Sequence, residues 1–167
     1  MRIRSELEQD HAAIRAVNAA AFGTSAEADL VDALRAGASP IVSLVAEAGG
    51  AVVGHILFSP VTLPGHPGLR IMGLAPMAVL PEFQRGGIGS ALVRAGLEAC
   101  GRLGFGAVVV LGRPGYYPRF GFVPSARFHI GCEYDVPEEV FMAVELVPGY
   151  LEGASGKVGY HAAFGSL

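Results

Sequence analysis

Apolar residues in the first forty positions recur at intervals of three and four. Ile14, Val17 and Ala21 fall on one side of the stretch Glu8 to Phe22, which predicts an amphipathic helix. Gly23 is placed to end it, because glycine tolerates the left-handed conformation of a helix stop. Ser25 stands where a capping residue would, ahead of a second helix that carries Leu30, Val31 and Leu34 on one side and stops near Gly37. Glu27 lies in the first turn of that helix, where a carboxylate suits the positive end of the peptide dipoles.

After Gly37 the period changes. Ile41 to Ala48 and Ala51 to Val61 are β-rich runs joined by Gly49-Gly50, which supply the positive φ angles of a type I′ turn, so an antiparallel hairpin is predicted. A further strand from about Arg70 to Leu80 contains Pro76, which has no N–H for a ladder, so a bulge or a splayed strand is expected there. Ile88 to Leu103 is the longest helical pattern, with Ile88, Leu92, Ala95 and Ala99 along one side and Gly104 after its end. Ala107 to Leu111 is continuously apolar, as in a strand buried on both faces and parallel to the strand before the helix. Met1 to Arg4 and Phe141 to Leu146 read as further strands, with a helical turn around Tyr116 to Phe120 that Gly121 ends. The tail from Pro148 is glycine-rich, yet Tyr150, Tyr160 and Phe164 predict that it packs back on the body. With no repeat or linker, residues 1–167 read as one domain of α/β (α+β) class, an antiparallel N-terminal half joined to a parallel strand-helix-strand crossover.

Composition narrows the function classes. Of 167 residues 51% are hydrophobic and 16% charged, which excludes disorder. The formal net charge of -3 lacks the field that would hold a polyanion, so neither nucleic acid nor an anionic membrane is an expected partner. No apolar run approaches the roughly 18 residues that span a bilayer. Met1-Arg2-Ile3-Arg4-Ser5-Glu6 opens in charge without the apolar segment of a signal peptide, so a cytoplasmic protein is expected. Cys100 and Cys132 show no Cys-x-x-Cys spacing, so neither a disulfide framework nor a metal site is suggested. The 24 glycines follow no Gly-X-Y period and therefore serve turns or close backbone approaches.

The chemistry concentrates in Met77-Ala78-Val79-Leu80-Pro81-Glu82-Phe83-Gln84-Arg85-Gly86-Gly87-Ile88-Gly89-Ser90. Here a strand leads through glycine-rich backbone directly into the long helix, so unpaired N–H groups converge at the positive end of a helix dipole. Such a cradle binds anions, and a Cβ would hinder close approach of phosphate oxygens. A Walker loop would need Lys before the Ser, but Gly89 precedes Ser90. A dinucleotide fingerprint starting at Gly87 would need a third glycine where Leu92 stands.

Gln84-Arg85-Gly86-Gly87-Ile88-Gly89, a Q-x-x-G-x-G match after an Ala-Val-x-Pro strand end, resembles the GNAT superfamily of acyl-CoA-dependent N-acyltransferases. In that family this loop holds the pyrophosphate of coenzyme A. A second match follows the apolar strand: Tyr117 stands four residues before Gly121-Phe122, and the Tyr-Tyr-x-x-Phe-Gly-Phe form looks like one small bacterial branch. The resemblance implies acetyl-CoA as cosubstrate without a metal, contacts from Met77, Ala78 and Val79 to pantetheine and thioester, and the pyrophosphate on Gln84, Arg85, Gly86, Gly87, Ile88, Gly89 and Ser90. It implies Tyr117 as the general acid at the leaving thiolate, an amine acceptor that is a small molecule or a protein, and, as relatives are often dimers, a homodimer.

An amine with a pKa of about 10.4 is neutral in only about one molecule in 2,500 at pH 7, a cost of roughly 4.6 kcal/mol before attack, so a base or a water path must help. The departing thiol has a pKa near ~8.5 and tyrosine stays protonated to about 10. Many relatives carry a glutamate on the strand before the loop, whereas Ile71-Met72-Gly73-Leu74-Ala75-Pro76-Met77 has no acid. Glu27 and His55 are the base candidates. A non-catalytic acyl-CoA-binding or sensor domain is the alternative reading.

Overall fold

Gly49 and Gly50 take φ angles of 58° and 80°, the left-handed pair that a type I′ turn requires, in the computed structural model, which describes residues 1–166. Leu167, the last residue of the expected domain, lies outside the described residues. The turn joins β2 (Val42–Ala48) to β3 (Ala51–Val61) with Ala48 opposite Ala51. β1 (Arg2–Ser5) adds antiparallel outside β2, and β4 (Ile71–Val79) adds antiparallel beyond β3. Ile56 lies opposite Met77 but Phe58 opposite Leu74, so the β3–β4 ladder bulges at Ala75 and Pro76, where the proline offers no donor.

Gly87 begins α3 (Ile88–Arg102), which returns the chain to β5 (Ala107–Leu111) parallel to β4. Only Ile71, Met72 and Gly73 pair with Ala107, Val108 and Val109; beyond Gly73 the two strands part. β6 (Val123–Pro124) and β8 (Phe141–Glu145) complete a seven-stranded sheet in the order β1-β2-β3-β4-β5-β8-β6, while β7 (Ile130–Cys132) and β9 (Gly156–Val158) form a separate parallel pair. The antiparallel half and the parallel crossover agree with the expected class.

Both faces are covered by amphipathic helices. Leu92 and Val93 of α3 pack with Ile56, Phe58, Met72 and Val108, and Gly96 is required there because a Cβ would fall 2.1 Å from the Phe58 ring. On the other face α1 (His11–Phe22) and α2 (Ala26–Gly37) bring Ile14, Val31 and Leu34 against Val45 and Leu57. Each such fully buried side chain contributes about 1.5–3 kcal/mol. The tail does pack back: Leu151, Val158 and Phe164 are buried, and the Tyr160 ring lies against Gly73, where a Cβ would approach it to 3.0 Å.

Three local expectations change. The first helix starts at His11, because Glu8–Asp10 is a 3₁₀ turn in which the Asp10 carboxylate accepts from the Leu7 N–H at 2.7 Å and pairs with Arg4. The Ser25 side chain makes no capping bond; the Thr24 hydroxyl accepts from the Ala26 N–H at 3.4 Å instead. Leu111, at the end of the apolar run, is 37% exposed, because the chain turns out of the sheet there toward the Tyr116–Tyr117 turn.

Candidate active-site cleft

The parting of β4 and β5 opens the cleft. At one end the loop after β4 passes through a 3₁₀ turn, Pro81–Phe83, and enters α3. Arg85 and Gly87 have φ angles of 66° and 89°, and such alternation of left-handed residues turns successive N–H groups into an anion-binding concavity. The Gln84 side chain donates to the Val79 carbonyl at 2.9 Å and ties the loop to the strand end. Ser90, in the first turn of α3, is hydrogen-bonded to the Tyr116 hydroxyl at 3.0 Å, and a Cβ on Gly89 would stand 3.3 Å from that oxygen. Arg119 lies over the Tyr116 ring at 4.5 Å and donates from Nε to the Tyr116 carbonyl at 2.8 Å, which brings a fixed positive charge to this end.

From the loop the cleft runs along Met77, Ala78 and Val79 to Tyr117 as a cavity of about 460 Å³. Tyr117 begins the 3₁₀ turn Tyr117–Phe120 and is 8% exposed. Its ring meets Tyr116 and Phe122 edge-on at centroid distances of 5.1 and 5.6 Å, and rests on Gly112, where a Cβ would be 2.2 Å from the ring. Burial pushes the Tyr117 pKa up to about 12, with Tyr116 adding and Arg113 opposing. The hydroxyl is protonated at any ordinary pH and, among the described residues, has no hydrogen-bond partner in the protein.

Beyond Tyr117 the cleft ends in a chamber that also borders Glu27. The half-buried Glu27 carboxylate accepts from the Thr24 hydroxyl at 3.3 Å. The structure thus brings together Glu27, Tyr117, Met77, Ala78, Val79 and the glycine loop. Of the loop positions, Gly87 is required for its left-handed backbone, whereas a Cβ on Gly86 would meet only the Phe83 carbonyl at 3.6 Å, an ordinary contact.

His55 is elsewhere. It is 0% exposed, with Nε2 2.9 Å from the Ser43 hydroxyl and Nδ1 3.3 Å from the Asn18 amide. The Ser43 hydroxyl donates to Glu6, so the imidazole carries its proton on Nε2 and accepts at Nδ1 from Asn18. Burial pushes its pKa down to about 4, with Glu6 opposing and Arg35 adding. It borders none of the three parts of the cleft.

Gly112, Tyr116, Phe22 and Leu30 also shape the cleft and were not singled out for it in the sequence. A glycine directly after a buried strand and before an aromatic cluster is the one local sign that marked Gly112.

Residues 7–122 match the Acetyltransferase (GNAT) family. The Escherichia coli K12 N-acetyltransferase YhbS is 37% identical over 165 residues, covering 98% of each chain. A second E. coli K12 N-acetyltransferase, YjhQ, is 44% identical over 136 residues, 79% of this chain and 75% of that one. The crystal structure of E. coli YhbS in complex with CoA superposes with a TM-score of 0.92 over 98% of this chain and 91% of that chain. A GNAT family acetyltransferase from Brucella melitensis in complex with acetyl-CoA, 41% identical, gives 0.80 over 98% and 97%. With a family match over most of its length, relatives covered nearly end to end and the glycine loop at the head of its helix, this chain belongs to the GNAT family of acetyltransferases.

Proposed function

We propose that the protein transfers the acetyl group of acetyl-CoA to a primary amine by direct attack within a ternary complex, and that residues 1–167 act as one catalytic unit. One observation carries this reading: a single cleft runs from the glycine loop past the splayed β4 to Tyr117 and Glu27. The loop N–H groups, with Arg85 and Arg119 beside them, take the pyrophosphate end. Backbone groups of Met77, Ala78 and Val79, freed where β4 leaves β5, hold the pantetheine amides and polarise the thioester carbonyl. The relatives bound to CoA and acetyl-CoA support the choice of cosubstrate.

The amine nitrogen attacks the thioester carbon, the C–N bond forms, and the C–S bond breaks. The acceptor's proton leaves toward Glu27, the one carboxylate among the described residues that line the chamber beside Tyr117. Tyr117 supplies its proton to the departing sulfur. Burial raises Tyr117 to about 12, and the same burial disfavours a thiolate left in the cleft, so both groups favour their neutral forms there.

A thermal-shift series tests the reading. Acetyl-CoA at a hundredfold excess over its Kd should stabilise by about 2.7 kcal/mol, or roughly 5–10 °C for a chain of this size, and ATP should do so much less. Gly89→Val, which crowds Tyr116 and the loop, should cancel the acetyl-CoA shift and amine-dependent CoA release. A larger shift with ATP, or an undiminished one in the variant, would overturn it.

A further inference from the structure

The chamber beyond Tyr117 is unlike the rest of the cleft in its lining. Leu30, Leu74 and Val110 form a floor no more than 4% exposed, while Phe22 and Leu111 border the same chamber at 44% and 37% exposure. Glu27 is the only charged side chain among the described residues that line it. Its neighbours on α2 are already matched: Asp29 and Asp32 pair with Arg15, and Asp32 also with Arg35. Glu27 has only the Thr24 hydroxyl. The chamber measures about 250 Å³, below the roughly 300 Å³ at which pockets for drug-sized ligands begin.

A single unmatched carboxylate at an apolar chamber calls for one cation, and exposed apolar side chains at its border call for a hydrocarbon to cover them. We infer that the acceptor is a primary monoamine borne on a small apolar body, such as an arylalkylamine. Its ammonium group meets Glu27, and its hydrocarbon lies on Leu30, Leu74 and Val110 between Phe22 and Leu111. A polyamine would press a second ammonium group against that floor, where no acid answers it. The inference rests on the acetyltransferase reading of the cleft.

The test compares kcat/KM for 2-phenylethylamine, spermidine and Nα-acetyl-lysine amide, with acetyl-CoA protection measured on the same preparation. The arylalkylamine should be preferred at least about tenfold, since burial of its ring is realised only in an apolar chamber. Leu111→Glu, at an exposed strand end, should narrow or reverse that preference toward spermidine. Equal or better use of spermidine or the lysine derivative, or an unchanged ratio in the variant, would overturn the inference alone. Turnover of none of the three despite acetyl-CoA protection would overturn the acetyltransferase reading together with the inference. Loss of acetyl-CoA protection in the wild type would instead overturn the acetyltransferase reading beneath it.

Discussion

Two polar constellations lie in this molecule, one beneath α1 and α2 and one in the cleft, and they differ in how much bonding capacity is already engaged. In the first, Arg35 donates to Glu6 at 2.8 and 3.0 Å, Ser43 donates to Glu6, and His55 links Ser43 to Asn18. Burial opposes ionisation of Glu6, but hydrogen bonds from Arg35 and Ser43 outweigh it and hold its pKa below the usual value. This serine, histidine and glutamate series is not a nucleophile relay: the hydroxyl stands between the two other groups and donates to the carboxylate, away from the imidazole. In the cleft, among the described residues, Tyr117 has no hydrogen-bond partner and Glu27 has one weak one. Among the described residues the Asn18 Oδ1 of the first constellation is also buried without a partner, so incomplete bonding by itself does not mark a reacting group.

The largest expected effect breaks the comparison at Tyr117. Tyr117→Phe should lower kcat by about 10²–10⁴, the usual share of a positioned acid. Urea unfolding should stay within about 1 kcal/mol of wild type, because the lost hydroxyl bonds none of the described residues and the ring keeps its seat on Gly112. A variant equally active in single-turnover CoA release would remove Tyr117 from the chemistry.

The second effect belongs to His55 and appears in stability. Its pKa falls from 6.5 to about 4 on folding, so below pH 6.5 the unfolded chain binds a proton that the folded one refuses. Stability is therefore full above pH 6.5 and is lost as pH falls toward 4, by on the order of 3 kcal/mol. Glu6, whose pKa is depressed, adds a loss of the same sign at lower pH. Urea unfolding at pH 7, 6, 5 and 4 measures this. His55→Leu should flatten the decline between pH 6.5 and 4 while lowering the plateau, and an equally steep variant would assign the proton uptake elsewhere.

What was legible in the sequence was local. The Gly49-Gly50 hairpin, the Pro76 bulge, the glycine loop and the Tyr117 turn each depend on neighbours a few residues away, and each stands as expected. Glu27 shares its helix with Asp29, Asp32 and Arg35, and His55 its strand with Ser59, so neither stands out from its element in the sequence. Which of them meets the cleft depends on how α1 and α2 lie across the sheet, a long-range outcome. Gly112 was hidden for the same reason, since its need to be glycine comes from the Tyr117 ring folded over it. The start of α1 at His11 follows from an Arg4–Asp10 pair that periodicity does not register.

The smallest effect sharpens the comparison, because one substitution can be made in both regions. Ser43 is 8% exposed and its hydroxyl serves Glu6 and His55 together, so Ser43→Ala strands two buried polar groups and should cost about 1–3 kcal/mol with kcat unchanged. Ser90 is half-buried and bonds only Tyr116, whose hydroxyl can turn to water in the open cleft. Ser90→Ala should therefore cost less than about 1 kcal/mol in urea unfolding. Its effect should fall on acetyl-CoA affinity, weakened severalfold as Tyr116 loses its tie to the first turn of α3. Equal stability losses at the two serines, with no change in affinity at either, would show that the cleft's hydrogen bonds are as closed as those beneath α1 and α2.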